Sequence, residues 1–341
     1  MSKVLIIGPN YYNFISACRT SFDELGWDAE CMPYDTPVHP YTPFMKVKYK
    51  LSRRKEQIRE RSRRIFNGEA RKRFDNVNPK AVFILNGEIL YPETLDYFRK
   101  SAKVALWMFD NREKIPEAIR HIDHVDAMFC FDQRDVDWFT SQGKTAYFLP
   151  QACDTSIYRR LDLKKDIDIL FIGHLYYSPK RKRIMNAVIE RFPDRKIVVY
   201  GRYQPWFKGI IKWLRRPYKS VYKNVGIASD KVNELYNRAR VVLNIHQEMQ
   251  TDGANPRLFE ICGSGAYQIC DSNPYVKSLF PDGEVGLYEN EEQLFNLIEY
   301  ALNNDMTQNA SAAYEKVVGQ HSFTQRLGAM LGFLCETGKR L

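Results

Sequence analysis

Residues 252–265 read DGANPRLFEICGSG and follow an apolar run, VVLNIH, at residues 241–246. An apolar strand, a glycine-containing turn and a helix together point backbone N–H groups and the positive helix end at a phosphate. Glu260 lies one to two turns inside this predicted helix, where a carboxylate can accept hydrogen bonds from two adjacent hydroxyls, as on a ribose. The stretch therefore predicts a nucleotide-binding turn; the alternative is an ordinary helix with a solvated glutamate.

Short apolar runs alternate with helical patterns along all 341 residues, which is typical of parallel α/β layers. Strands are predicted at residues 3–8, 81–85, 104–109, 127–131 and 146–150, then at 168–173, 196–201, 241–246, 266–270 and 284–288. A chain of this length exceeds what one hydrophobic core usually serves. The prediction is an α/β protein with two Rossmann-like doubly wound domains that face a cleft: an N-terminal domain, residues 1–150, and a C-terminal domain, residues 167–341. Residues 151–166 are polar and form the predicted linker, and the last helix is a candidate to pack back on the N-terminal domain.

Several protein classes are disfavoured by the sequence. Neither domain carries the GxGxxG pattern of dinucleotide-binding enzymes or the GxxxxGK[ST] pattern of a P-loop. The seven cysteines are scattered without a CxxC pair, which argues against zinc and disulfides. No apolar run of about 18 residues is present and the N-terminus lacks the pattern of a signal peptide, so a cytoplasmic location is expected.

The spacing Asp252-x7-Glu260 resembles the Glu-x7-Glu donor motif of GT-B nucleotide-sugar glycosyltransferases, with Asp in the first position. Residues 255–271, NPRLFEICGSGAYQICD, are similar to the CgeB-like (spore-maturation) branch of that superfamily. The resemblance implies a hexosyltransferase that uses a nucleotide-sugar donor, a UDP-sugar as first choice, and no metal ion or other cofactor. It favours retention of anomeric configuration, because the Glu-x7-Glu branches are mainly retaining.

The donor side is expected in the C-terminal domain. Residues 180–183, KRKR, begin the helix after its first strand, and cations there oppose the helix dipole unless an anion is bound. The resemblance implies that Arg181 and Arg257 stabilise the leaving diphosphate, whereas a solvated basic helix start is the alternative. His246 is a candidate for a phosphate or hydroxyl contact or else a structural histidine. The predicted donor-binding residues are Gly173, His174, Arg181, Ile227, His246, Asp252, Gly253, Ala254, Asn255, Arg257 and Glu260.

The acceptor side is expected in the N-terminal domain, at the ends of its strands. Asp110 follows the VALWMF run directly and is the first choice for a catalytic residue, as a general base or as an orienter of the acceptor hydroxyl. The alternative is an N-cap for a helix that begins near Glu113. The predicted acceptor-binding residues are Asn10, Tyr11, Asn86, Glu88 and Asp110. His121 and His124 lack a third ligand at sensible spacing, so no metal site is predicted.

Positive charge is concentrated in two segments of this chain, whose formal net charge is +10. Residues 46–73 hold thirteen Lys and Arg against three Glu, which is also +10, and apolar residues recur there every seven positions, at Phe44, Leu51, Ile58 and Ile65. Residues 202–223 interleave Trp and Phe with Lys and Arg and contain no acid. This composition favours peripheral binding to the inner face of an anionic membrane; a solvated basic surface and a nucleic-acid partner are the alternatives.

Taken together, these patterns predict a metal-independent glycosyltransferase that moves a sugar to a glycan, lipid-linked or protein acceptor. A nucleic-acid-directed glycosyltransferase and a GT-B-fold sugar epimerase are the alternative functions. A sugar- or nucleotide-binding module without catalysis is a further alternative.

Overall fold

The computed structural model describes residues 1–9, 13–34, 55–176, 178–202, 218–223 and 225–336. These residues form two compact units. Unit 1 comprises residues 1–150 together with the described part of residues 323–341, and unit 2 comprises residues 151–322. Each unit contains one parallel sheet with helices packed against it.

Unit 1 contains a six-stranded parallel sheet in the order β2-β1-β3-β4-β5-β6. Its strands are β1 (Ser2–Pro9), β2 (Trp27–Tyr34), β3 (Ala81–Leu85), β4 (Lys103–Met108), β5 (Ala127–Cys130) and β6 (Tyr147–Phe148). Its helices are α1 (Phe14–Glu24), α2 (Lys55–Val77), α3 (Pro92–Arg99), α4 (Pro116–Ile119) and α5 (Gln133–Ser141), with a 3-10 turn at Ile122–His124. Every residue of β3 and β4 is buried, as expected for central parallel strands covered on both faces.

Unit 2 contains a five-stranded parallel sheet in the order β11-β10-β9-β7-β8. Its strands are β7 (Ile167–Ile172), β8 (Ile197–Tyr200), β9 (Ala239–Asn244), β10 (Gln268–Asp271) and β11 (Gly286–Tyr288). Its helices are α6 (Pro179–Arg191), α7 (Tyr218–Val221), α8 (Ser229–Arg238), α9 (Pro256–Gly263), α10 (Pro274–Leu279), α11 (Glu291–Asn303) and α12 (Thr307–Gln320). The predicted fold class, two Rossmann-like α/β domains, is confirmed.

The strand order reverses once in each sheet, between β1 and β3 in unit 1 and between β7 and β9 in unit 2. In open parallel sheets, ligands bind outside the carboxyl ends of the strands at such a switch point. Strand β2 was not predicted from the sequence. Its residues are only partly buried and include Asp28, Glu30 and Pro33, because it is an edge strand and needs no continuous apolar run.

Helix α2 differs from the predicted apolar stripe. Ile65 is 37% exposed, whereas Phe66, Ala70 and Phe74 are buried in the unit 1 core. Phe66, Ala70 and Phe74 recur every four residues along one side of the helix, and Ile65 lies about 100° around the axis from Phe66, so the helix packs on a different face from the predicted stripe. The other predicted stripe residues Phe44 and Leu51 lie outside the described residues.

The predicted linker and the last helix each belong to one of the two units. Residues 151–166, the predicted linker, belong to unit 2, where the N–H groups of Arg159 and Leu161 donate to Asn233 and Asn237 at 3.2 and 2.8 Å. Helix α13 (Phe323–Glu336) belongs to unit 1, where the Phe323 ring packs against Phe14. Among the described residues, no helix is long and apolar enough to cross a membrane.

Candidate functional site

Helix α9 begins at Pro256 because the preceding asparagine caps it. The Asn255 Oδ1 accepts the Leu258 N–H at 3.2 Å, and proline suits the first helical position because it has no N–H to satisfy. The Asn255 Nδ2 also donates to the Oδ1 of Asn244, the last residue of β9, at 2.8 Å. The start of α9 is therefore tied to the carboxyl end of β9, which pairs with β7 at the switch point of unit 2.

Glu260 is buried inside α9, with 8% of its surface exposed, so the solvated-glutamate alternative does not fit. Burial raises the pKa of its carboxyl, opposed by the positive charge of Arg257 and by a hydrogen bond from Tyr158. Tyr158 comes from the predicted linker and is itself buried. The Glu260 carboxyl group therefore lies close to a phenol and a cation.

The loop before α9 is anchored to α10. The Asp252 Oδ1 accepts the Tyr275 N–H at 3.0 Å, and the Asn273 Nδ2 donates to the Gly253 carbonyl at 2.9 Å. Ala254 is fully buried. The loop that contains Asp252 is therefore held at both ends, by α10 and by the capped start of α9.

Arg181 lies at the switch point of unit 2. Only 4% of it is exposed, and its Nε donates to the Ile245 carbonyl just past β9 at 2.7 Å. Gly173 directly follows β7, and Gly201 packs so closely on it that a Cβ at position 201 would lie 2.1 Å from the Gly173 oxygen. A side chain at position 201 would therefore displace the turn that contains Gly173 and His174.

His174 is surrounded by positive charge. Burial lowers its pKa, and Arg257, Arg202 and Arg181 lower it further. The His174 Nδ1 accepts the Arg202 N–H at 3.3 Å, so a neutral His174 carries its proton on Nε2. Three arginines around one imidazole form an electropositive environment that suits an anion.

The basic start of α6 is neutralised by two carboxylates that sequence reasoning missed. Glu248 accepts the Lys180 N–H at 2.9 Å and the Ser178 hydroxyl at 2.9 Å, and Asp271 accepts the Lys180 Nζ at 2.6 Å. Arg183 pairs with Glu291 on the surface. Of the cations from Lys180 to Arg183, Arg181 is the one buried toward β9.

His246 is a buried member of the same network. Its backbone N–H and its Nδ1 both lie 2.8 Å from the Asp271 Oδ1. Burial raises the pKa of Asp271, but His246 and Lys180 more than offset this, so the pKa falls below its ordinary range. The Cys270 Sγ lies 3.7 Å from the His246 Nδ1, and these three side chains place potential metal ligands within 4.8 Å of one another. Ile227, one of the predicted donor-binding residues, is half-buried against the unit 2 core.

The predicted acceptor residues lie at the carboxyl ends of β3 and β4. Asn86 has φ 60° and its Oδ1 accepts the Phe109 N–H at 2.7 Å, so it joins the two strand ends. The Glu88 Oε2 accepts the Tyr34 hydroxyl at 2.7 Å, and burial raises the pKa of Glu88, to which Asp110 also contributes. Asn10 and Tyr11 lie outside the described residues.

Asp110 is not an N-cap, because the next helix begins only at Pro116, after Ile115. Its Oδ1 pairs with the Lys114 Nζ at 3.0 Å. The two histidines face different partners: His121 lies 3.0 Å from the Gly87 carbonyl, and His124 lies 2.9 Å from Asp96. Burial lowers the pKa of His121 to about 4, so this residue is a neutral structural histidine at physiological pH.

The two basic segments are only partly described. Residues 46–54 and 203–217 lie outside the described residues. Within α2, Arg63 donates to the carbonyls of Ile89 and Leu90 at 2.9 and 2.5 Å, and Arg71 donates to Thr94 at 3.2 Å. Part of the positive charge of residues 46–73 therefore holds unit 1 together.

Comparisons with known proteins agree with this architecture. A protein-family profile described as "Glycosyl transferase-like" matches residues 180–332. The chain is similar in structure to a sucrose-phosphate synthase from Thermosynechococcus elongatus (11% identity, TM-score 0.70, 99% of this chain and 100% of that chain). It is also similar to a UDP-forming trehalose-phosphate synthase from Burkholderia xenovorans (11% identity, TM-score 0.65, 99% and 100%).

A third similar structure is a trehalose-6-phosphate synthase studied for glycosyl transfer with retention (10% identity, TM-score 0.65, 98% and 99%). No curated protein matches the sequence. At these identities the likeness shows the fold: this chain has the GT-B fold of glycosyltransferases.

Proposed function

We propose that this protein is a glycosyltransferase that moves a hexose from a nucleotide-sugar donor, bound by unit 2, to an acceptor bound by unit 1. The observation that carries the proposal is Glu260, a buried carboxylate one turn inside a capped helix, oriented by Tyr158 and next to Arg257. Such a carboxylate can accept hydrogen bonds from a ligand that has two adjacent hydroxyl groups. The neighbouring cation can bind the phosphates of the same ligand. A UDP-sugar is the first choice of donor.

Catalysis rests on electrostatic stabilisation of the leaving nucleoside diphosphate. Arg181 and Arg257 supply positive charge, and the amides at the start of α9 add the helix dipole. Arg181 is held rigidly by the Ile245 carbonyl, so little reorganisation is needed as charge develops. Because two arginines and a helix terminus provide this charge, the proposed reaction needs no divalent ion.

The proposed stereochemical course is retention. The Asp252-x7-Glu260 spacing supports it, and so does the third similar structure, which comes from a study of transfer with retention. Retention leaves Asp110 without an obligatory role as base. We therefore assign Asp110 to orienting the acceptor hydroxyl, and the CgeB-like branch remains the proposed affiliation.

The proposed acceptor is a glycan, lipid-linked or protein hydroxyl. Glu88 and Asp110 place two carboxyl groups just past the ends of β3 and β4, where the Asp110 carboxylate also pairs with the Lys114 Nζ at 3.0 Å. Two neighbouring carboxylates disfavour a phosphate and favour hydroxyl groups, which donate hydrogen bonds to them.

A thermal-shift panel of nucleotides and nucleotide sugars tests the donor assignment. A ligand present at 100 times its Kd stabilises the folded state by about 2.7 kcal/mol, so a true donor raises the melting temperature measurably. Slow hydrolysis of that donor without acceptor then separates an enzyme from a binding module, and product analysis separates transfer from epimerisation. A panel without any nucleotide-dependent shift would refute the proposal.

We also propose a cytoplasmic location with peripheral attachment to the inner face of the membrane through residues 202–223 and 46–73. The exposed cations on α2, among them Arg59, Arg61 and Arg64, support an anionic surface as partner. Nucleic acid is the competing partner for the same charge.

A further inference from the structure

The loop between β4 and α4 contains Asp110 and is anchored on both sides of this residue. On the N-terminal side, the Asn86 Oδ1 accepts the Phe109 N–H at 2.7 Å. On the C-terminal side, the Asp135 Oδ2 accepts the Arg112 N–H at 3.2 Å. The backbone of Asp110 therefore lies between two side-chain anchors, and both anchors come from other parts of the chain.

Asp135 is the third residue of α5 and is fully buried. In addition to the backbone contact, its Oδ1 accepts the Arg112 Nη1 at 2.5 Å, and its Oδ2 accepts the Asn111 Nδ2 at 3.4 Å. The Arg112 guanidinium also packs over the Trp138 ring, 5.0 Å from the ring centre. One carboxylate on α5 therefore holds both the backbone and the side chains of the two residues that follow Asp110.

The buried pair of Asp135 and Arg112 determines geometry more than stability. Burial raises the pKa of Asp135, although the hydrogen bonds and the positive charge of Arg112 oppose this rise. Because a raised carboxyl pKa means that ionisation costs folding stability, the charge of Asp135 does not stabilise the fold. Apolar residues of similar volume often stabilise a protein as well as a buried ion pair does. The feature that this pair fixes is the conformation of the loop.

Asp110 and Asp135 differ in their access to a ligand. The Asp110 side chain is 29% exposed, whereas the Asp135 side chain is 0% exposed and cannot touch a substrate. We propose that Asp135 is a positioning residue for the acceptor, which acts through Asp110 by fixing the backbone between Asp110 and Arg112. This inference rests on the proposed function, in which Asp110 orients the acceptor hydroxyl.

The first test is amide hydrogen exchange of the full chain, which needs no ligand. Asp135→Asn has nearly the same volume but only one acceptor oxygen, so it can hold the N–H or the guanidinium of Arg112, but not both. Exchange of the Arg112 amide, measured by NMR, should become about tenfold faster, as for loss of one hydrogen bond to a charged group.

The second test measures activity with UDP-glucose as donor and octyl β-glucoside or maltoheptaose as acceptor. Asp135→Asn should raise the acceptor KM about tenfold, because the acceptor-orienting carboxylate is no longer held in place. The KM for UDP-glucose and the rate at which water hydrolyses it should not change. A merely structural defect would instead reduce the fraction of active enzyme, which lowers transfer and hydrolysis together and leaves the acceptor KM unchanged.

A double-mutant cycle tests whether Asp135 acts through Asp110. Asp110→Asn removes the carboxylate that Asp135 is proposed to position. In that background, Asp135→Asn should raise the acceptor KM no further, because two changes that act through one group are not additive. Acceptor KM effects that multiply in the double variant would contradict the proposed route.

Asp126→Asn is the matched control, because Asp126 has the same kinds of partner at the opposite end of β4. Its Oδ2 accepts the Val104 N–H at 2.8 Å, and its Oδ1 lies 3.5 Å from the Arg99 Nη2. Asp126→Asn should speed exchange of the Val104 amide and leave the acceptor KM at the wild-type value.

Two results would overturn the proposal: unchanged exchange of the Arg112 amide in Asp135→Asn, or equal acceptor KM values for wild type and Asp135→Asn. Failure of the wild type to consume UDP-glucose or any other nucleotide sugar would refute the proposed function instead. The exchange experiment would then still decide whether Asp135 holds the loop.

Discussion

Replacing Glu260 by Gln should weaken donor binding and should not destabilise the fold. In the proposed site the Glu260 carboxylate accepts two hydroxyl hydrogen bonds from the ribose, and an amide offers one weaker acceptor oxygen. Hydrogen bonds to a charged group contribute about 1.5–3 kcal/mol, so the donor Kd should rise by roughly ten- to a hundredfold. The Tyr158 hydroxyl can still donate to the amide oxygen, which preserves the orientation of the side chain.

Glu260→Gln should weaken donor binding, but we expect it to leave the stability of the fold unchanged or to increase it. Because the pKa of Glu260 is raised above its ordinary value of 4.5, the folded state binds a proton more tightly than the unfolded state does. The corresponding stability is fully present below that ordinary value and is lost as the pH rises through the raised pKa. Ionisation of this carboxyl therefore costs folding stability, and Glu260→Gln should melt at the wild-type temperature or above it at pH 7.

Glu284→Gln is the matched control in the same unit. Glu284 is as buried as Glu260, at 7% exposed against 8%, and pairs with the Lys316 Nζ at 2.5 Å. Burial raises the pKa of Glu284, but Lys316 and backbone N–H groups more than offset this and lower it. Its stabilising contribution is present above the ordinary pKa of 4.5 and lost as the pH falls through the lowered value.

At pH 7, Glu284→Gln should therefore lose about 1.5–3 kcal/mol of stability and leave donor affinity intact. Calorimetry with UDP and UDP-sugars measures affinity, and differential scanning calorimetry between pH 4 and pH 8 measures stability. Unchanged donor affinity in Glu260→Gln would remove Glu260 from the site. A lower melting temperature in Glu260→Gln at pH 7 would refute the argument from its burial.

Three further perturbations test the mechanism and the partners. Arg181→Ala and Arg257→Ala should lower kcat more than they raise the donor KM, because the leaving diphosphate gains charge in the transition state; equal effects on binding and turnover would contradict a leaving-group role. EDTA should leave turnover unchanged, and a complete loss restored by Mn²⁺ or Mg²⁺ would count against the proposed chemistry. Trp206→Ala combined with Trp213→Ala should release the protein from anionic vesicles and leave nucleotide binding intact, with each nearby cation contributing about 1 kcal/mol to attachment. Vesicle binding that ignores lipid charge and both tryptophans would exclude the membrane proposal, and salt-sensitive DNA binding instead would favour a nucleic-acid partner.

Local sequence predicted those features that depend on neighbours along the chain. The buried central strands of both sheets appear as apolar runs, because a parallel strand covered on both faces is apolar at most of its positions. The start of α9 was indicated by Asn255 and Pro256, residue types that favour the N-cap and the first position of a helix. Strand β2 lacked such a signal because an edge strand tolerates polar residues.

The tertiary fold determines which side chains come into contact. Local sequence patterns do not encode these contacts. Glu248 and Asp271 are 68 and 91 residues from Lys180, yet both neutralise the start of α6. The sequence predicted that an anion lies at the start of α6. In the tertiary structure, carboxylates of the chain itself lie at this position. Asn86 likewise adopts a left-handed backbone conformation to bind Phe109, a contact set by the pairing of β3 with β4.

The sequence by itself determined the fold class of this protein and the start of helix α9, because strand and helix periodicity and helix capping are local properties. Only the tertiary structure decided that Glu260 is buried beside Arg257 and that Arg181 is the buried cation among residues 180–183. Burial and pairing depend on residues brought together from distant parts of the chain. The pKa of each group, and with it the chemistry that the group can perform, depends on that environment.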